Sequence, residues 1–424
     1  MESAPLRTAE IIAVGSELLG TTRIDTNSLY LAGRLASIGI QLRAKAVAGD
    51  DREALAGVLG GALGRADLVI LTGGLGPTDD DVTRDAVADV IGVPMEEDAA
   101  IVERVRERFA RRGLRMPDVN RKQALVPRGA TVLPNALGSA PGLLIEQGRR
   151  LLILLPGPPR ELQAMFEPLV EGVLRERARG ERLLQASLFV VGRSESHVEE
   201  IAQPIYGPWR RGRHPIETTI LAAPGQIELH LTMRTDDEAG GARALAEARD
   251  GLAAALGDAV FSTDGRPMEA VVGDLLSERG WTIAAAESCT GGLLMSRLTD
   301  VAGSSAWVLG GCVAYSNASK TLFAGVPAAL IEAHGAVSEP VAAALAEGIR
   351  TRVGVQVGVG ITGIAGPTGG TAAKPVGTVA AAVIGPDGRA RARTVWLPGG
   401  RAQVKFNATQ TALDMVRRML LAAP

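Results

Sequence analysis

The stretch AAAESCTGGLL, residues 284–294, places Ser288 directly beside Cys289, just ahead of the glycine pair Gly291 and Gly292. Both side chains are nucleophiles by type, and acyl transfer is the chemistry they would serve. A strand, a small-residue turn and a helix lift such a side chain to the top of a sheet. The GxSxG elbow uses a related device, although this stretch does not match it. A serine needs a base. The sole histidine after residue 265 is His334, whereas AYSNASK, residues 314–320, offers Tyr315, Ser316 and Lys320 on a strand end and its turn. A lysine desolvated in a cleft loses its charge and accepts the serine proton, so Lys320 is the better candidate. Serine is favoured over cysteine because nothing near Cys289 suggests a histidine-paired thiolate. Backbone N–H groups of Thr290, Gly291 and Gly292, at the mouth of the next helix, suit an oxyanion, worth about 3–4 kcal/mol per donor. The same letters also suit a Ser/Thr helix cap with glycines for close packing.

Two further segments carry ligand chemistry. In ITGIAGPTGGTAAKPVGT, residues 361–378, Thr362 ends a strand, and the loop after it holds Gly363, Gly366 and Lys374. Such a loop wraps a phosphate or sugar with backbone N–H groups, or else it is a long structural hairpin. In LTGGLGPTDDDVTRDA, residues 71–86, three glycines precede a helix start. That arrangement favours an anion such as phosphate. Asp79, Asp80 and Asp81 would repel it unless a divalent cation such as magnesium or manganese intervenes. Glu17 and Asp25, in GSELLGTTRIDTNS at 15–28, could reach the same rim. The plainer alternative is that the aspartates cap a helix and favour its dipole.

Three regions must position these residues. Over 1–172, EIIAVG, DLVILTGG and LLILLPG read as buried parallel strands ending at glycine. They alternate with helical segments such as 27–39, capped by Asn27, and 81–92. This predicts a doubly wound α/β sheet with ligands beyond the strand carboxyl ends. Over 173–264 the strand-like SLFVVG, IETTILAA and QIELHLTMR precede a helix at 237–256, a small α+β module. GRSES, 192–196, reads there as a helix opening. Over 265–424 a helix at 268–279 precedes strands around 281–288, 310–317, 357–363 and 376–385, and a helix at 401–421 closes an α/β domain.

Composition narrows the function classes. Across 424 residues, 46% are hydrophobic and 22% charged, ordinary for a soluble globular chain. A formal net charge of −2 and 3% aromatic residues argue against nucleic acid, which needs basic surface and stacking rings. Two cysteines, Cys289 and Cys312, make no disulfide framework. MESAPLRTAEIIAVG lacks the pattern of a secretory leader, and no apolar run is long enough for a bilayer. A cytoplasmic protein with no membrane partner is expected.

Over essentially the whole chain these motifs resemble the CinA family of competence/damage-inducible proteins. The resemblance is carried by GSELL…DTNS, TGGLGPTDDDVTRDA, DVNRKQA, SAPG, LPGPPREL, ESCTGG, YSNASK, VSEPVA and TGIAGPTGGTAAKPVGTV in order. It implies a molybdopterin-binding-like first domain associated with metal-dependent ADP-ribose hydrolysis, and a KH-like middle module. The third domain is similar to nicotinamide mononucleotide amidohydrolases, which release ammonia and nicotinate mononucleotide without a cofactor. Ser288 then matches the nucleophile, and Tyr315, Lys320 and Thr362 match the active-site tyrosine, lysine and threonine. Arg401 matches an arginine that is a candidate phosphate ligand. The resemblance implies a small-molecule nucleotide substrate, and a homodimer is expected. The alternative is a non-catalytic nucleotide- or pterin-binding protein acting as a metabolite sensor. Two departures stand out: GGRAQVKFN carries Gly400 where the family has an acid, followed by Lys405 and Asn407, and Gly20 follows ELL directly where the pattern is ELLxG.

Overall fold

The computed structural model describes residues 4–211 and 214–422. The first three residues of the stretch read for a leader therefore lie outside the described residues. The chain divides into two compact units, residues 1–184 with 233–241, and residues 185–232 with 242–424. The stretch 173–264 forms no unit of its own; most of it groups with the C-terminal part.

The first unit runs β1 (Thr8–Val14), α1 (Asn27–Ser37), β2 (Gln41–Ala48), α2 (Arg52–Arg65), β3 (Leu68–Thr72) and α3 (Thr83–Ile91). It continues through β4 (Met95–Glu97), α4 (Ala99–Ala110), β5 (Leu125–Pro127), β6 (Thr131–Leu133), β7 (Gly142–Gln147), β8 (Arg150–Leu155), α5 (Pro159–Leu169) and the short α6 (Arg175–Arg177). Six strands form a sheet ordered β2-β1-β3-β8-β7-β6. The first four are parallel; β7 and β6 add antiparallel. Every residue of β3 is buried, as expected for a strand covered by helices on both faces. One apolar core lies on each face of the sheet, built around Leu55, Leu59 and Val87 on one side and Leu31, Leu35 and Phe166 on the other. Asn27 is not the cap of α1: that position is Thr26, and Asp25 instead accepts the Ser28 N–H at 3.0 Å. The Asn27 amide is drawn away to donate to the Gly157 carbonyl at 2.7 Å.

Then follow β9 (Arg182–Val190), α7 (Glu195–Tyr206), β10 (Glu217–Ala223), β11 (Gln226–Thr235), α8 (Glu238–Leu256) and β12 (Val260–Ser262). Their sheet is ordered β10-β11-β9-β12. The alternation in QIELHLTMR holds, with Ile227, Leu229 and Leu231 buried. Ser194 of GRSES caps α7 by accepting the His197 N–H.

The rest of the second unit runs α9 (Met268–Arg279), β13 (Ile283–Glu287), α10 (Leu293–Thr299), β14 (Val308–Val313), α11 (Asn317–Ala324) and α12 (Ala328–His334). After them come α13 (Glu339–Val353), β15 (Val357–Gly363), β16 (Thr378–Ile384), β17 (Ala390–Trp396) and α14 (Arg401–Ala422). The sheet order is β14-β13-β15-β16-β17. β13 lies between β14 and β15 and runs parallel to both, so the carboxyl ends of β14, β13 and β15 share one edge. β16 and β17 run antiparallel, which makes 364–377 the connection of a hairpin. The glycines of VGVGITG explain how α13 packs so closely on β15. A Cβ at Gly358 would lie 2.2 Å from the Ala346 carbonyl oxygen, and one at Gly360 would lie 2.1 Å from that of Ala342. Among the described residues no helix is long and apolar enough to cross a membrane.

Candidate active site

β13 ends at Glu287, and the next residue is Ser288, whose N–H donates to the Ile361 carbonyl of β15 at 2.9 Å. That bond extends the sheet by one step and fixes the serine at the shared carboxyl edge. Ser288 is buried, with 6% of its surface exposed. α11 brings Lys320 up beside it. The capping box of Ser316 and Ser319 starts that helix one turn earlier and sets the direction of the lysine. Lys320 Nζ donates to Ser288 Oγ at 3.1 Å, to the Ala314 carbonyl at 3.2 Å and to the Tyr315 carbonyl at 3.1 Å. The lysine is 2% exposed, and burial pushes its ammonium below the ordinary lysine range.

Cys289 faces the other way. It belongs to the apolar core, and a Cβ on Gly363 would sit 2.9 Å from its Sγ. Burial pushes the thiol up to about 12, so no thiolate forms near neutral pH. The arrangement separates the two neighbours: one side chain meets a lysine, the other packs in hydrocarbon.

Glu287, which sequence reading passed over, organises the loop. It is fully buried, and its carboxylate accepts N–H bonds from Gly292 at 3.1 Å, Leu294 at 3.0 Å and Met295 at 2.9 Å. A carboxylate at a helix N-terminus satisfies the orphan donors there. This corrects the expected oxyanion donors. The Gly292 N–H is taken by Glu287, and the Gly291 N–H donates to the Ser288 carbonyl at 3.1 Å. The N–H groups of Cys289 and Thr290 bond no backbone acceptor among the described residues. Thr290 is fully buried, and its hydroxyl lacks a partner.

The other sequence candidates gather nearby, several in supporting positions. Thr362, at the end of β15, donates its hydroxyl to the Ala336 carbonyl at 2.8 Å. Lys374 donates to the carbonyls of Val337 at 2.6 Å and His334 at 3.3 Å. It is therefore a clip on the 334–337 segment, not a free cation for phosphate. Gly363 and Gly366 are required by packing. A Cβ at Gly366 would fall 2.5 Å from Val376 Cγ1, and the residue holds φ +78°. Arg401, at the first position of α14, donates to the Gly366 carbonyl at 2.7 Å and to the exposed Tyr315 hydroxyl at 3.3 Å. One turn on, Lys405 Nζ lies 3.6 Å from where a Gly291 Cβ would be, with no hydrogen bond or ion pair to a described residue. Arg401 and Lys405 are four apart, hence on one face of the helix.

The acidic loop of the first unit also forms a cleft. Val14, Gly15, Glu17, Gly73, Gly74, Gly76, Gln123, Ser139 and Gly157 line about 390 Å³ together with Asp50, Asp80, Asp81 and Glu161. Five of the sequence motifs thus converge on one rim. Gly73 (φ +96°) and Gly74 (φ +65°) permit a turn in which a Cβ would collide with the Val14 carbonyl oxygen at 2.3 Å or Thr83 Oγ1 at 2.2 Å. Behind them Arg84, only 2% exposed, donates to the carbonyls of Leu75 at 2.6 Å and Gly76 at 2.9 Å. No sequence signal set this arginine apart from its helix neighbours.

The expected metal ligands do not assemble. Among the described residues no three His, Cys, Asp or Glu side chains gather to hold an ion. Asp25 is spent on Ser28, and Asp81 accepts the Gly76 N–H at 2.7 Å and the Thr78 N–H at 2.8 Å. Asp79 is exposed and outside the cleft lining. Glu17 and Asp80 remain in the lining. As a protein-built cage the five carboxylates do not fit a metal ion. The local bonds that shape the loop occupy Asp25 and Asp81.

Comparison with known proteins adds a wider frame. The family described as "CinA C-terminal domain" matches residues 265–420, and "Probable molybdopterin binding domain" matches 10–176. A CinA-like protein of Koribacter versatilis is 46% identical over 420 residues, covering 97% of this chain and 100% of that protein. Another, of Acidobacterium capsulatum, is 43% identical over 421 residues, covering 97% and 100%. Among solved structures, a protein CinA of unknown function from Thermoplasma acidophilum is 30% identical. It covers 39% of this chain and 99% of its own, with a TM-score of 0.37.

Proposed function

The chain belongs to the CinA family, and on that footing we propose that its C-terminal domain is a nicotinamide-nucleotide amidohydrolase. It converts nicotinamide mononucleotide and water to nicotinate mononucleotide and ammonia, a step of pyridine nucleotide recycling. The observation that carries this reading is the buried Lys320–Ser288 contact of 3.1 Å at the sheet edge.

In this mechanism the Ser288 oxygen attacks the carboxamide carbon while Lys320, in its neutral form, takes the hydroxyl proton. The oxyanion is received by the N–H groups of Cys289 and Thr290, the pair left unbonded to backbone in the turn. Lys320 passes the proton to the departing nitrogen as the C–N bond breaks, which releases ammonia and leaves Ser288 esterified by the carboxyl group of nicotinate mononucleotide, ribosyl phosphate still attached. Water then attacks the ester, Lys320 again takes a proton, and its return to the serine oxygen completes the cycle. Arg401 and Lys405 lie on the side where the nucleotide phosphate would sit, and Thr362 and Lys374 hold the 334–337 wall. The test is ammonia release from nicotinamide mononucleotide by the purified chain. Wild type should release it and Ser288→Ala should not; equal release by both would sink the reading.

For the first unit the glycine-rich cleft supports binding of a phosphorylated ligand, with ADP-ribose hydrolysis as the reaction to assay. Ordinarily one or two carboxylates plus substrate phosphates suffice for magnesium, and Glu17 and Asp80 are the two left in the lining. Phosphate release from ADP-ribose in a phosphatase-coupled assay, with and without added magnesium, tests this independently of the amidase.

A further inference from the structure

A second cleft of about 390 Å³ adjoins the glycine-rich one in the first unit. It is floored by Ile101 and Val105 and bordered by Arg104, Arg108 and Arg111. Arg104 and Arg108 are four apart on α4, hence on one face, and Arg111 is the residue at its C-cap. Of the two acids of that helix, one pairs outside the cleft and the other approaches an arginine on its border. Glu103 pairs with Arg106, and Glu107 approaches Arg111 at 3.8 Å. Arg108 donates to the carbonyls of Ala136 and Leu137. Arg104 has no hydrogen bond or ion pair to any described residue.

The two clefts share a wall. Ser139 lines both, and its hydroxyl accepts from Gln123 Nε2 at 3.2 Å on the glycine-rich side. The 135–140 loop is held by Asn135, whose Oδ1 accepts the N–H groups of Leu137 at 3.0 Å and Gly138 at 2.8 Å. Its Nδ2 donates to Glu161 Oε2 at 2.7 Å. One ordered loop therefore has carboxylates on one side and guanidinium groups on the other.

We propose that the Arg104–Arg108–Arg111 pocket is an anion subsite for a phosphate-bearing ligand, continuous with the glycine-rich cleft. This deepens the reading that the cleft holds a phosphorylated molecule and depends on it for the second end of the ligand. The unpartnered Arg104 guanidinium beside an apolar floor, with Arg108 and Arg111 bordering the same cleft, suits phosphate oxygens, which guanidinium groups bind in a charge-assisted fork. The substrate class so selected is a nucleotide or related molecule carrying two separated polar ends, one near the glycine-rich turn at Gly74 and Leu75 and one near Arg104.

The experiment is calorimetric titration of the full chain with inorganic pyrophosphate in the presence of a chelator, so that no metal contributes. Wild type should bind, and Arg104→Gln should weaken binding about tenfold, the worth of one charge-assisted contact. Arg106→Gln removes the same charge from α4 outside the pocket and should bind as wild type does. If Arg104→Gln binds as tightly as wild type, if both variants weaken equally, or if wild type does not bind, the subsite is overturned. ADP-ribose is titrated in parallel. If pyrophosphate binds through Arg104 while ADP-ribose does not bind at all, the subsite stands and the nucleotide reading of the adjoining cleft has failed.

Discussion

The Lys320 amine meets three oxygens at once: Ser288 Oγ at 3.1 Å and the carbonyls of Ala314 and Tyr315 at 3.2 and 3.1 Å. No described carboxylate bonds to it. A neutral amine has two N–H donors and one lone pair, which matches two carbonyls and one hydroxyl donor. The same three contacts would serve an ammonium only as donor, with the serine proton turned elsewhere. Burial favours the neutral form.

The pH profile follows from that shift. Burial lowers Lys320 from the ordinary lysine value, so its base form fills at lower pH than that of an exposed lysine. The ratio kcat/KM for nicotinamide mononucleotide should rise with pH, with the midpoint of the rise below the ordinary lysine value. Lys320→Arg keeps a positive charge that cannot be shed, and kcat should fall about 10²–10⁴-fold with the rising limb lost. Steady-state kinetics across pH check both. An unchanged limb in the arginine variant would assign the titration to another group.

Cys289 should prove dispensable for chemistry. Its thiol is pushed up to about 12 and buried beside Gly363. Cys289→Ala should keep activity within about threefold, while the lost packing costs roughly 1 kcal/mol in a denaturant titration. Native protein should also resist alkylation at this position until it unfolds.

Glu287 is expected to matter without touching substrate. Glu287→Gln keeps the shape but removes the charge and turns one acceptor oxygen into a donor facing a buried N–H. A cost of about 2–3 kcal/mol follows from an unsatisfied buried group, seen as a lower Tm. The activity of the folded fraction should fall with it, because the Cys289 and Thr290 N–H groups lie in the turn that Glu287 anchors. Full activity with a normal Tm would show that the carboxylate is incidental.

Lys405 separates binding from chemistry. Lys405 makes no ion pair to a described residue and its amine lies near Gly291, so in the proposed reaction it would bind the nucleotide phosphate. Lys405→Ala should raise KM for nicotinamide mononucleotide about tenfold with little change in kcat. Turnover of nicotinamide riboside, which lacks the phosphate, should be unaffected. Equal losses on both compounds would place the lysine elsewhere.

Much of this site was legible because sheet topology is legible. ESCTGG, YSNASK and VGVGITG each follow an apolar run, and parallel pairing alone brings Ser288, Lys320 and Thr362 to one edge. The alternation in QIELHLTMR was equally open to reading. What stayed hidden depended on acceptors far away in sequence. Lys374 looks like a phosphate ligand until the carbonyls of His334 and Val337 occupy it. Asp81 looks like a metal ligand until Gly76 and Thr78 donate to it. Glu287 reads as the end of a strand, and only the direction of α10 makes it a cap. The oxyanion donors were misplaced by the same omission, since Glu287 takes the Gly292 N–H.

The most direct test of the central claim is rapid acid quench of the chain during turnover of nicotinamide mononucleotide, followed by peptide mapping by mass spectrometry. An ester of nicotinate mononucleotide on Ser288 that disappears as substrate is exhausted is the predicted result. A thioester on Cys289, or steady ammonia release with no adduct at any time and full activity in Ser288→Ala, would contradict it.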